Sequence, residues 1–248
     1  MIRKIYWIAL IHILLLTACQ AELSPVTETP TLEIINIQVT PATAHWMDAV
    51  AECSQQIPDF GVYRQILPIS ELDLGATDLT MRLGQKQESD PFVTVLGTEE
   101  IVLVIGEDVS VPSLNLQTIN SIFTGNFTGW GQVPEVSETE GDGDHPIRVL
   151  SYPPENELRT LFETSFLGSN KITSGSTVIF TEETLDNLLV QHPNAIGYTL
   201  KSQVPQGLRT LSISGDNPQP GLQYVLAVTQ QEPIGKLRDL LLCLQNAP

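Results

Sequence analysis

Positive charge is scarce in this chain of 248 residues. Twelve Lys and Arg stand against 29 Asp and Glu, for a formal net charge of −17. Such a charge repels nucleic acid and anionic lipid surfaces at long range, which argues against a nucleic-acid partner. It leaves room for an anionic ligand, because a local site of amides and hydroxyls can override a distant field. Cysteine is rarer still. Cys19, Cys53 and Cys243 are the full set, and their spacing holds no zinc pattern. Beyond the first segment the histidines are His45, His145 and His192. None sits in a G-x-S-x-G or similar nucleophile frame, so the chain does not read as an enzyme. The acidic stretch Glu140–His145, "EGDGDH", lacks the D-x-D-x-D-G register and closing acid of a calcium loop. No cofactor or metal is expected. No repeat of 20–50 residues occurs.

What is present begins with an export signal. Arg3 and Lys4 precede a largely apolar run from Ile5 to Leu16, too short to span a bilayer comfortably. The run ends in Leu16-Thr17-Ala18-Cys19. Small residues before a cut mark a secretory signal. A Cys directly after them resembles the bacterial lipobox, in which that Cys is lipidated and becomes the new N-terminus. The expectation is a signal peptide over 1–18 and lipidation at Cys19. A polar, Pro-containing tether over 19–31 then leads to a folded domain over 32–248. Losing Arg3 and Lys4 takes the net charge from −17 to −19. Hydrophobic residues at 42% suffice for a sizeable core, as one large domain or two small lobes.

Along the domain, strand and helix patterns alternate. Leu32–Thr40 is apolar and β-branched and predicts a buried strand. Thr40-Pro41 predicts an N-cap with proline at the first helical position, and the helix runs on through Gln56. Trp46, Val50, Cys53 and Ile57 share one face of it. Gly61–Pro68 and Ala76–Gly84 are further strand candidates. Pro91–Gly106 holds two apolar runs broken at Gly97–Glu100, the pattern of a paired or crossing strand. A short helix over Ser113–Gly125 stops at the glycine. Strands follow at Val149–Ser151, Val178–Phe180, Asn194–Leu200 and Leu222–Thr229. Leu158, Leu161, Phe162 and Phe166 mark one intervening helix, and Thr181 caps another. The last helix carries a stripe of Ile234, Leu237, Leu241 and Leu244.

This alternation argues an α/β protein with mixed sheets. If the segments near Val102 and Leu208 are crossovers, the chain builds one lobe, then a second, then returns. The first and last helices then share a lobe, which favours a Cys53–Cys243 disulfide over two buried thiols in an exported chain.

Three stretches in order resemble the phosphate-type periplasmic binding proteins. "SIFTGNFTGW" (Ser121–Trp130) resembles their I-F-x-G-x-x-x-x-W segment. "VLSYPPENELRTLFE" (Val149–Glu163) resembles V-L-x-R-x-D-G-S-G-T-x-x-x-F-E without gaps. "HPNAIGYTL" (His192–Leu200) resembles the N-P-x-A-I-G-Y strand. The resemblance covers roughly residues 32–248. It implies a two-lobed type II periplasmic-binding-protein fold, α/β with mixed sheets and two hinge crossovers. Lobe one would take about 32–105 and 206–248, and lobe two about 106–205. It further implies a small solute, an oxyanion among the candidates, held in the cleft and handed to an ABC permease. The location implied is extracytoplasmic, on a bacterial membrane through the N-terminal lipid.

The departures bear on the ligand. The family's arginine is replaced by Tyr152, and its G-S-G-T run by Glu155, Asn156, Glu157 and Leu158. Glycine lets a backbone approach a ligand closely. A carboxylate at such a partly screened place repels an anion by on the order of a few kcal/mol. Tight phosphate binding in the family's usual mode is therefore not expected. Two readings of the turn stand: a helix start whose acids suit the dipole, or a cleft for another ligand. In the second, Tyr152 is an aromatic wall, Asn156 a neutral donor and acceptor, and the glutamates face a cation or amine. On the other lobe the resemblance marks Thr40, Thr43, Thr77 and Asp78 as ligand-contacting, with N-capping an equal account of Thr40. Arg82 reads as a surface residue, and Thr173–Thr177 as a hydroxyl-rich turn.

Overall fold

A computed structural model describes residues 31–136, 145–215 and 219–246. The expected signal peptide, lipidated Cys19 and all of the tether but Thr31 lie outside the described residues. So does Glu140–His145, apart from His145.

β1 (Glu33–Val39) lies between two parallel partners, β2 (Phe60–Ile66) and β3 (Leu79–Gly84). Ile35, Ile37 and Val39 are buried on one face of β1, as alternate residues of a strand must be. The chain turns at Thr40 into a 3-10 helix, Pro41–Trp46, and only then into α1 (Met47–Gln55). The single expected helix is thus two segments. The Thr40 side chain makes no capping bond. Uncapped N–H groups are commonly met by i→i+3 bonds that tighten the first turn.

β4 (Phe92–Ile105) joins the two parts of the molecule. Its first stretch, Phe92–Glu100, pairs antiparallel with β10 (Leu222–Thr229), which in turn pairs with β3. Its second stretch, Ile101–Ile105, pairs antiparallel with β8 (Ala195–Leu200). The apolar runs on either side of Gly97–Glu100 therefore serve two neighbours. Near the change of partner the register shifts, with Val225 opposite Gly97 and Leu226 opposite Val95. A bulge of this kind bends and twists its strand. Gly97 is required by a close approach, since a Cβ there would lie 2.9 Å from the Trp46 ring.

Beyond β4 the strand order continues β8, β6 (Arg148–Ser151), β7 (Thr177–Val178). β9 (Arg209–Ser214) pairs with Leu103–Ile105 of β4 and with β5 (Ser113–Asn115). β9 thus stays with the second lobe. β10 is the strand that rejoins the first sheet. Around β8 pack α2 (Leu116–Phe123), α3 (Glu157–Phe162) and α4 (Glu182–Gln191). α3 passes directly into a π-helical turn, Glu163–Leu167. Their meeting point is aromatic: Phe162 stacks on Tyr198 with centroids 4.0 Å apart and on Phe166 at 4.7 Å.

The closing helix α5 (Gly235–Gln245) buries Leu240, Leu241 and Leu244. Ile234, placed in this stripe by periodicity, instead precedes the first turn and is 80% exposed. α5 lies against α1, and Cys53 and Cys243 are joined with Cα atoms 5.8 Å apart. No described helix is long and apolar enough to cross a membrane.

Candidate ligand site

The site forms where β1 and β3 end and α3 begins. β1 stops at Val39, opposite Met81. The Thr40 N–H still donates to the Met81 carbonyl at 3.1 Å, after which the chain turns away. The next N–H along that edge of β3 belongs to Leu83. In place of a strand neighbour it meets a side chain of the second lobe, donating to Glu157 Oε1 at 3.0 Å. The other oxygen of the same carboxyl accepts from Thr40 Oγ1 at 2.6 Å. Thr43 Oγ1 lies 3.1 Å from Thr40 Oγ1 and bonds the Met81 carbonyl at 3.0 Å, bracing the turn. Thr40 and Thr43 are fully buried, and Glu157 is 4% exposed.

A carboxyl group in such a place is reluctant to ionise. Burial pushes its pKa up, and the bonds from Thr40 and Leu83 and the charge of Arg82 pull it back only in part. The outcome is a shift from 4.5 to about 7. Arg82 is itself committed, 2.5 Å from Asp90. At 6% exposure it is no surface arginine, which corrects the sequence reading. Its neighbours Gln85, Lys86 and Gln87 line a cavity of about 450 Å³ whose opposite wall is Glu157, Thr160 and Ser165. The cavity therefore lies between the lobes and borders the Glu157 carboxyl.

The other predicted residues are not brought to this point. Thr77 and Asp78 stand at the far end of β3. Thr77 Oγ1 donates to the Asn36 carbonyl at 2.6 Å, and Asp78 Oδ2 accepts from the Asn36 N–H at 2.8 Å. Asn36 precedes Thr40 by four residues, about 13 Å at the rise of a strand. Their role here is to pin β3 to β1. Tyr152 is no cleft wall. It is 2% exposed, packs edge-on against Tyr198 and reaches Glu182 with its hydroxyl. Burial raises its pKa well above the usual phenol value, so the hydroxyl stays neutral. Asn156 caps α3, accepting from the Leu158 N–H at 2.8 Å. Thr173–Thr177 forms a turn in which Thr173 Oγ1 accepts from the Gly175 N–H.

Glu157 is the residue that sequence reasoning undervalued. The sequence offers it as a helix-start acid or as a group facing a cation or amine, whereas its carboxyl takes the Thr40 hydroxyl and the Leu83 N–H. The available signal was its position, because an acid stands at a glycine place of the resembling Val149–Glu163 segment. The two glutamates of the turn differ sharply, since Glu155 is exposed.

Comparison of the whole chain with solved structures yields long matches of low identity. An ABC-type phosphate transport receptor from Vibrio cholerae is 18% identical, with a TM-score of 0.68, over 86% of this chain and 93% of that one. A putative phosphate ABC transporter substrate-binding protein with bound phosphate, from Clostridium perfringens, is 19% identical with a TM-score of 0.72 over the same shares. The fold is the two-lobed periplasmic-binding-protein fold. It is shared with regulators, since the reduced regulatory domain of OxyR2 from Vibrio vulnificus is 13% identical with a TM-score of 0.60, over 88% of this chain and 98% of that domain. No protein-family model and no curated protein matches the chain. In this fold β4 is one connection between lobes, and the 450 Å³ cavity occupies the interlobe cleft.

Proposed function

We propose that the chain is an extracytoplasmic solute-binding lipoprotein, held to a bacterial membrane through Cys19, and the substrate receptor of an ABC importer. The observation that carries this reading is the cavity between the lobes, walled by Arg82–Gln87 on one side and Thr160, Leu161, Thr164 and Ser165 on the other. Solute recognition between two lobes lets closure remove the ligand from water. The neighbours described as phosphate transport receptors support the same reading through their fold. Free phosphate in that family's usual place is not the ligand proposed. The Thr40 hydroxyl and the Leu83 N–H are already bonded to Glu157. The solute proposed is small and polar, and it contacts Gln85, Lys86, Thr160 and Gln223 around the cavity.

The occupied niche also favours a second reading: a membrane-anchored sensor or interaction module on the same fold that no longer takes a solute. One experiment separates the two. Thermal unfolding is followed with phosphate, sulfate, molybdate, amines and a panel of small polar metabolites. A receptor shows a midpoint that rises with the concentration of one of them. A flat response across the panel, with a protein partner recovered instead, sets the receptor reading aside.

A further inference from the structure

A buried carboxyl group with no cation beside it is uncommon, because ionised carboxylates are kept out of water only when well paired or well hydrogen-bonded. Among the described residues no Lys, Arg or His lies within ion-pairing distance of Glu157. Its two oxygens instead take a hydroxyl donor and a backbone donor, both from the other lobe. The Glu157–Thr40 bond links residues 117 positions apart, and the Glu157–Leu83 bond residues 74 apart. Both donors are ready-made. Thr43 and the Met81 carbonyl hold the Thr40 turn, and the ending of β1 frees the Leu83 N–H. This is how a protein binds a small carboxylate, except that the carboxylate is attached to the chain.

We propose that Thr40 and Leu83 form a carboxylate-binding niche on the first lobe, and that Glu157 is its resident ligand, which closes the lobes with no solute in the niche. The charged groups around it are few. Arg82 faces it from β3, engaged with Asp90, and Lys86 lines the adjoining cavity. On its own helix Arg159 is bound to Glu163, and Glu155, in the turn before that helix, is exposed. The niche therefore offers directed hydrogen bonds and little net positive charge. That suits a monocarboxylate better than a doubly charged oxyanion. The proposal rests on the two-lobed receptor reading only for what closure means, and its test uses no transported solute.

The test is an interlobe distance measured by pulsed dipolar spectroscopy on the full chain, with labels on noncanonical residues at the exposed Gln56 and Val190. The native disulfide is left intact. The expected wild-type result, without solute, is a dominant short-separation population. Glu157→Ala is expected to lower the closed-to-open ratio roughly tenfold or more. Sodium acetate, compared with sodium chloride at equal ionic strength, raises the thermal midpoint of that variant, whose niche lacks its resident carboxyl, and leaves the wild type unchanged. A wild type that is mainly open overturns the proposal without any variant. So does a Glu157→Ala protein with the wild-type ratio, or an acetate response of equal size in both. Should Glu157→Ala not fold, Thr40→Val removes the hydroxyl donor alone and is expected to lower the ratio in the same direction. A folded Thr40→Val protein with an unchanged ratio also overturns the proposal.

Discussion

Glu157 and Glu163 begin and follow the same short helix, both are buried, and their carboxyl groups are shifted in opposite directions. The difference lies in their donors. Burial pushes both upward. At Glu163 it is outweighed by bonds from Lys171 at 2.7 Å, Arg159 at 3.0 Å and the Ile172 N–H at 3.2 Å, two of them cationic. At Glu157 the two direct donors are neutral, and burial prevails. The first glutamate holds α3 to the opposite lobe, and the second holds the end of α3 to the loop that follows.

The first prediction concerns Glu157 and pH. Its folded pKa of about 7 exceeds its ordinary value of 4.5. Below 4.5 both folded and unfolded chains carry the proton, and the group is neutral to stability. As pH rises toward 7 the unfolded chain ionises first, so stability is lost across that window. The loss is on the order of 3 kcal/mol at most. Glu157→Gln removes this slope, because an amide mimics the protonated acid. Urea unfolding at pH 5 and pH 8 checks this, and an unchanged slope in the variant counts against it.

The opposite slope is expected of Glu163. Its depressed pKa contributes stability above the unfolded value, lost as pH falls through the folded one. Glu163→Gln should therefore destabilise the protein at pH 7 and much less at low pH. Denaturation midpoints across an acid series measure it. A variant that is equally weakened at every pH would show a packing effect alone.

Thr40→Val is isosteric and deletes one donor. At pH 8, where Glu157 is largely ionised, the lost bond is charge-assisted, and a cost of roughly 1.5–3 kcal/mol is expected. At pH 5 the bond is between neutral groups and the cost should fall to about 1 kcal/mol. The difference between the two pH values is the diagnostic quantity, read from equilibrium unfolding.

The disulfide closes a loop between positions separated by 190 residues. The entropy removed from the unfolded chain sets an upper figure of about 5 kcal/mol. Paired Cys53→Ser and Cys243→Ser substitutions should lower the thermal midpoint markedly while leaving the interlobe site formed. Calorimetry of the double variant tests this, and an unchanged midpoint would mean the thiols are not bonded in solution.

Gly97→Ala probes the joint between lobes. The added methyl would meet the Trp46 ring at 2.9 Å, so ring or strand must shift. A cost of about 1–3 kcal/mol is expected. Trp46 also donates to Glu99, which accepts from His45 and Ser202 as well, so Trp46 fluorescence should report the shift.

Much of this molecule was determined locally. An apolar, β-branched run specified β1, two apolar runs broken at Gly97–Glu100 specified β4, a buried apolar run specified β8, and Thr181 capped α4 as its hydroxyl dictates. Those patterns depend on neighbours within a few residues, which is why the sequence could state them. Cys53 was placed on the inner face of its helix by the helical spacing it shares with Trp46, Val50 and Ile57. The sequence could not tell Glu155 from Glu157, two acids in one turn with the same local propensity. Only the tertiary structure decided that one faces water and the other meets Thr40 and Leu83. The same holds for Arg82, buried against Asp90, for Tyr152, drawn into the aromatic core, and for Ile234, left outside the last helix's apolar face. The physical reason is common to all of them. A polar or aromatic side chain is placed by partners distant in sequence, and those partners exist only once the two lobes have met.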